Sequence, residues 1–339
     1  MSGNVMKKII SFCNGNHQTH CAEVILQFKY DLFEGRSMNK HNINRMNYQK
    51  LASIIVLIVS MFFYSVSSQA NPVLKSVWTD EPLQVDGRGT DDAWDKAPVL
   101  TTHDLIADID IQIQSLYSRK NIYMLVTFAD ATENRLHKLM HWNETKQRYT
   151  TGVEREDIFI FKWNMLPTVL DISLSSNIPY KADIWYWKAS RTDHAGYADD
   201  KMQTYKSKKS KNTRLFISKN GKYFYLSRKG DKGKPAYIHR FYSSKSTETV
   251  DKYDYVKPEG SRADVRAKGF WQDGVWTIEF QRALNTGHFD DLQFNTASSY
   301  FFGVSRYEIA GRKENKQIEQ PKFGAGEVNK LIELRFIQK

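Results

Sequence analysis

The stretch IQIQSLYSRKNIYMLVTFAD, residues 111–130, alternates apolar and polar side chains on either side of a polar Ser-Arg-Lys-Asn turn. Side chains of a strand point to opposite faces in turn, so this pattern reads as two half-buried strands joined in a hairpin. Similar short runs recur outward from it: EDIFIFKWNML (156–166), KADIWYWKA (181–189), KYFYLSR (222–228), GVWTIEFQRAL (274–284), SSYFFGVSRYEIA (298–310) and NKLIELRFI (329–337). Clusters of Gly, Asn, Asp and Lys separate them at the spacing expected of a sandwich. The expectation is an all-β, antiparallel two-sheet sandwich. Only ATENRLHKLMHWNETKQ (131–147) has helical character, and no repeat, heptad or Gly-rich phosphate loop occurs.

The first 70 residues do not read as domain. A cationic Met46–Lys50 segment, an apolar Leu51–Val66 segment and the small-x-small site Ser68-Gln-Ala70 form an export signal starting at Met38 or Met46. A single membrane anchor is the alternative, but the apolar core is shorter than the roughly 20 residues a bilayer needs. Residues 1–37 have no evident role. Removing 1–70 takes away seven of the 49 basic and three of the 38 acidic residues, which leaves 42 and 35 and a net charge of +7. Both cysteines, Cys13 and Cys21, go with it. The exported chain then has no disulfide, thiolate metal site, Cys nucleophile or covalently attached c-type haem. Residues 71–339 read as one domain, with a densely basic insertion at about 206–240. That insertion is either a solvated hairpin or a docking surface for an acidic partner. Export makes a nucleic-acid partner unexpected, and a signal once cleaved leaves no stable membrane span.

Five segments occur in a recognisable order: LQVDGRGTDDAWDKAPVL (83–100), NIYMLVTFADAT (121–132), EREDIFIFKWNM (154–165), ADIWYWKASRTDHAGYADD (182–200) and a tail from GVWTIEFQRAL to YFFGVSRYEI (274–309). Together they resemble the haem-binding domain of the ethylbenzene dehydrogenase gamma-subunit family, related to carbohydrate-binding module family 9 and to DOMON-type sandwiches. The Trp-x-Trp-Lys-Ala-x-Arg and Gly-Tyr-Ala-Asp-Asp elements carry most of the specificity. The resemblance implies a sandwich holding one b-type haem non-covalently and passing single electrons, a non-catalytic partner of a periplasmic redox enzyme or cytochrome. In enzyme-associated members the iron is held by a Met thioether and a Lys amine, and the partner contains molybdenum.

Lys188 sits in the most specific motif, and as a ligand it must be the neutral amine, which burial among aromatics favours. Met124, Met140, Met165 and Met202 are the methionines after residue 70. By position, Met165 is the thioether candidate, and a Met ligand raises the reduction potential. The resemblance further implies that Trp185, Tyr186, Trp187 and Arg191 line the cofactor. Alternatives are Met140 or His141 for Met165, and Lys313 or Lys316 for Lys188. Set against these are plainer roles. Lys188 can pair with Asp183, Asp199 or Asp200, Met165 can be core, and His141 can be a surface polar residue. Trp94, Trp163, Trp185, Trp187, Trp271 and Trp276 are expected in the core. Asp86, Asp91 and Asp92 could ligate Ca²⁺ but are explained by Asx turns. A second function is a non-redox module binding a sugar or other small ligand. A hydrolase is more distant, since no motif places a pair of carboxylates.

Overall fold

The computed structural model describes residues 71–104, 107–168, 171–307 and 331–339. The expected leader and export signal, Lys313 and Lys316 lie outside these. The described residues are all-β apart from short 3-10 turns at Asp92–Lys96, Asp193–Ala195 and Gly260–Ala263. No helix among them is long and apolar enough to cross a membrane.

In chain order the strands are β1 (Val73–Trp78), β2 (Leu100–Asp104), β3 (Ile109–Tyr117), β4 (Asn121–Ala129), β5 (Met140–Asn143), β6 (Arg148–Thr151), β7 (Ile158–Asn164), β8 (Tyr180–Lys188) and β9 (Asp199–Lys206). They continue with β10 (Arg214–Ile217), β11 (Tyr223–Gly230), β12 (Tyr237–His239), β13 (Thr249–Val250), β14 (Tyr253–Tyr255), β15 (Arg266–Gln272), β16 (Val275–Ala283), β17 (Ser299–Tyr307) and β18 (Ile332–Phe336). Hydrogen bonds run in the order β10-β11-β9-β8-β7-β17-β18-β1-β3-β4-β16-β15, with β2 beside β3. The pairs along this path are antiparallel except at β1, which lies parallel to both β18 and β3. Two small sheets, β12-β14 and β13-β5-β6, stand apart from it.

The long sheet folds over so that its two halves face each other across one aromatic core. Phe128 of β4 stacks on Phe159 of β7 at 5.8 Å. Phe280 of β16 meets Phe161 at 5.1 Å, and Trp276 meets Trp187 at 4.9 Å. This is the sandwich the alternation predicts. The 111–130 hairpin closes through Ser118 N–H donating to Asn121 O at 2.8 Å. Ile111, Ile113, Met124, Val126 and Phe128 point into the core.

The other face of that hairpin is buried too, which explains the unbroken apolar run in β4. Leu116, Tyr123 and Leu125 are covered by Ala93, Trp94 and Ala97. What fastens this cover is Glu279 of β16, buried on the same face. Its Oε2 accepts from Asp86 N–H at 3.0 Å and Gly87 N–H at 2.7 Å, and its Oε1 from Trp94 Nε1–H at 3.0 Å. Gly87 is required there: φ is +86°, and a Cβ would lie 2.8 Å from the Gly269 backbone. The Asp-Gly and Ala-Trp signals near the start of the domain are thus two ends of one tie. Asp86 Oδ1 accepts from Arg88 N–H at 2.8 Å, the Asx turn expected of it, whereas Asp91 Oδ2 accepts from Gln84 N–H, seven residues back, at 3.2 Å.

Glu279→Ala leaves two buried donors and one half-buried donor unsatisfied and is expected to cost about 3 kcal/mol in a urea melt. A loss below about 1 kcal/mol would contradict the tie. Burial pushes the carboxyl from 4.5 up to about 7. A raised carboxyl takes up a proton on folding, so its contribution is full below 4.5 and is lost as pH rises through about 7. Glu279→Gln is expected to flatten that slope.

The 131–147 segment is a correction. It is extended and turn structure that contains β5, paired with β6 and β13, and it ends in the turn before β6. Its polar face is satisfied by sheet partners: His141 Nε2 meets Glu154 Oε1 at 2.7 Å and Nδ1 meets Thr249 Oγ1 at 3.1 Å. Within 206–240, Arg214–Ile217 and Tyr223–Gly230 form a hairpin that extends the main sheet beside β9.

Candidate functional site at the Lys188 end of the sheet

The faces of β8 divide as the alternation requires. Ile184 and Tyr186 pack on one side with Tyr180, Tyr205 and Phe224, while Trp185 and Trp187 are fully buried in the opposite, main core. Trp185 and Trp187 therefore turn away from Lys188.

Lys188 is the last residue of β8, 1% exposed. Its Nζ donates to Asp199 Oδ2 at 2.5 Å and to Tyr237 Oη at 2.9 Å. It lies 4.6 Å and 4.8 Å over the rings of Tyr186 and Tyr237. Burial lowers its pKa to about 8 against the pull of Asp199. Burial alone would raise Asp199, but Lys188, Lys201 and Arg262 hold it well below the usual carboxylate range. Of the three acids the sequence offered as partners, Asp199 is the one engaged with the amine.

The chain reaches Asp199 through a turn built by the motif itself. Lys188 N–H donates to Thr192 Oγ1 at 3.0 Å. Asp193 Oδ1 accepts from Trp187 Nε1–H at 2.9 Å and from Gly269 N–H at 2.6 Å. Its Oδ2 accepts from Arg135 at 2.7 Å and Lys268 at 3.1 Å. Gly196, at φ +76°, ends the turn. Beside it, Glu156 Oε2 accepts the N–H groups of Ser190 and Arg191, both at 2.9 Å, and its Oε1 accepts Arg191 Nε–H at 2.5 Å. His137 Nδ1 lies 3.2 Å from the same oxygen, and burial lowers its pKa to about 2, so the ring is neutral. Arg191 crosses the faces of Tyr237 and Tyr253 at 5.1 Å and 5.6 Å. The result is a cationic and aromatic cluster whose two buried carboxylates, Asp199 and Glu156, hold its shape. Sequence reading missed Asp193, Glu156, His137, Tyr237 and Tyr253. Only Asp193, inside the quoted motif, and Glu156, inside EREDIF, carried any signal.

Met165 is not part of this cluster. Ile158 pairs with Lys188 and Asn164 with Ala182, so Met165, whose N–H donates to Lys181 O at 3.0 Å, lies at the far end of the same strand pair. Seven residues of strand separate Lys181 from Lys188, roughly 23 Å at about 3.3 Å each. The expected Lys188–Met165 pair cannot flank one iron atom, and that pairing is corrected here. Met140 and His141 stand in the small β13-β5-β6 sheet. Register brings a different segment to this end. Tyr307, the last residue of β17, pairs with Ile158, which pairs with Lys188, so β17 ends in the row that contains Lys188.

Residues 176–319 match the family described as ethylbenzene dehydrogenase, so the resemblance read from the sequence stands over that segment. No curated protein matches the chain. Among solved structures, the chain is similar to a carbohydrate binding module family 9 from Caldicellulosiruptor kristjanssonii in complex with glucose. The identity is 10%, the TM-score is 0.35, and the match covers 78% of this chain and 97% of that one. The complex of the same module with cellotriose matches at 10% identity and TM-score 0.35, covering 78% and 95%.

Proposed function

We propose that this chain is an exported, non-catalytic electron-transfer protein that holds one b-type haem and serves a periplasmic redox enzyme or cytochrome. The observation that supports it is the family match over 176–319, which spans the Trp-x-Trp-Lys motif and both Lys313 and Lys316. The haem, when bound, would supply a one-electron couple. The described residues do not complete an iron site, because the amine at Lys188 has no access to Met165.

What the described residues do is set the surroundings. Lys188, Arg191, Tyr186 and Tyr237 form a rigid cationic and aromatic wall. Their charges are answered by Asp199 and Glu156, so the cluster orders this end of the sheet, while the basic 206–240 segment would steer an acidic partner. On this reading Lys188 is a positioning residue, and Lys313 or Lys316 would supply the amine that holds the haem iron.

The test is a potentiometric titration of the haemin-loaded chain, following the visible bands. A single reversible one-electron transition is expected. Haem lost on reduction would count against electron transfer and favour a non-redox module for a sugar or small ligand.

A further inference from the structure

Away from Lys188, on the inner face, four carboxylates converge. Asp183 lies on β8, Asp200 on β9, Asp231 directly after β11, and Asp291 in the β16–β17 connection. Asp231 N–H donates to Asp200 O at 3.2 Å, which places these two residues side by side. Their exposures are 0%, 0%, 7% and 4%. Asp183, Asp200 and Asp291 each offer an oxygen within 4.8 Å of the other two.

Some of this charge is answered. Asp183 Oδ2 accepts from Arg282 and from Leu292 N–H, and Asp291 Oδ2 accepts from Thr286 Oγ1–H at 2.5 Å. Five oxygens meet no donor: both of Asp200, Asp183 Oδ1, Asp231 Oδ2 and Asp291 Oδ1. Asp200 is the decisive member, since a fully buried carboxylate with neither oxygen satisfied is among the most costly groups a protein can hold.

We propose that Asp183, Asp200, Asp231 and Asp291 form a calcium-binding site that ties β8 and β9 to the β16–β17 connection. The donors are hard oxygens with no thiolate or imidazole among the four, which disfavours zinc and copper. They come from four separate segments in no regular array, which suits the variable coordination of Ca²⁺ better than the strict octahedron of Mg²⁺. Arg282 answers one of the four charges and a divalent cation two more. This site is independent of the haem reading.

The experiment is thermal unfolding and calorimetry of the protein purified from an exporting host and freed of metal with EDTA. CaCl₂ is expected to bind at one site and to raise Tm by on the order of 5 °C at saturation, whereas MgCl₂ at the same concentration gives less than half that shift. Asp200→Asn should bind Ca²⁺ at least tenfold more weakly and lose the shift. Its calcium-free form should melt no lower than the calcium-free wild type, because the amide removes a buried charge. Asp291→Asn repeats the test at the loop if Asp200→Asn does not fold, and exposed Asp92→Asn should keep the full response. No calcium response in the wild type, an equal response to Mg²⁺, or a response retained in both cluster variants would overturn the proposal. In the first and last cases the acids would be held neutral by shared protons.

Discussion

Asp193→Ala is expected to destabilise the domain by about 4 kcal/mol, lowering Tm by on the order of 10 °C. One buried carboxylate here satisfies the Trp187 indole N–H, the Gly269 amide, and the cations of Arg135 and Lys268. Removing it orphans two buried N–H groups, takes the counter-charge from the Lys268 ammonium and leaves the Arg135 guanidinium with Glu133 alone. The loss also unfastens the turn that carries the chain from Lys188 to Asp199. Asp193→Asn keeps one acceptor oxygen and should recover part of the loss. A fall in Tm under about 3 °C for Asp193→Ala would show that the turn is held by other contacts.

Arg282→Met should be nearly as damaging, about 3–5 kcal/mol in calcium-free buffer. Arg282 is 1% exposed, pairs with Asp183, and donates to Leu292 O. It also covers the rings of Trp185 and Phe294 at 5.0 Å each. Methionine fills similar space but leaves Asp183 buried and unanswered among Asp200 and Asp291. Removing that charge as well, in Arg282→Met with Asp183→Asn, should restore a good part of the stability, a coupling that a double-mutant cycle measures. Additive losses from the two substitutions would mean that the pair is not the source of the effect.

The fold was legible where each strand buries one face. Ile111 and Ile113 against Gln112 and Gln114 announce β3, and the 182–188 alternation separates the Trp185/Trp187 face from the Tyr186 face. Legibility fails where a second layer covers the outer face. The apolar run of β4 makes sense only once Trp94 is seen tied down by Glu279, a partner 185 residues away. The helical pattern at 131–147 misled because its apolar residues serve a small three-stranded sheet.

The site was half legible. The motif marked the right end of the sheet, yet its residues hold a turn and an ion pair. Which methionine could join Lys188 depended on register. Nothing local in KWNML says that Met165 and Lys188 end up at opposite ends of β7 and β8. The acid cluster was invisible for the same reason, since Asp183, Asp200, Asp231 and Asp291 come from four separate segments.

The most direct measurement of the central claim is the visible spectrum of the protein purified from a haem-replete exporting host, with Lys188→Met, Lys313→Ala and Lys316→Ala alongside it. A low-spin b-type spectrum is expected, with its haem extracted completely by acidified organic solvent. Lys188→Met should keep that spectrum, and one of the two loop variants should lose it. A colourless protein that takes up no added haemin, or a low-spin spectrum lost in Lys188→Met and kept in both loop variants, would contradict it.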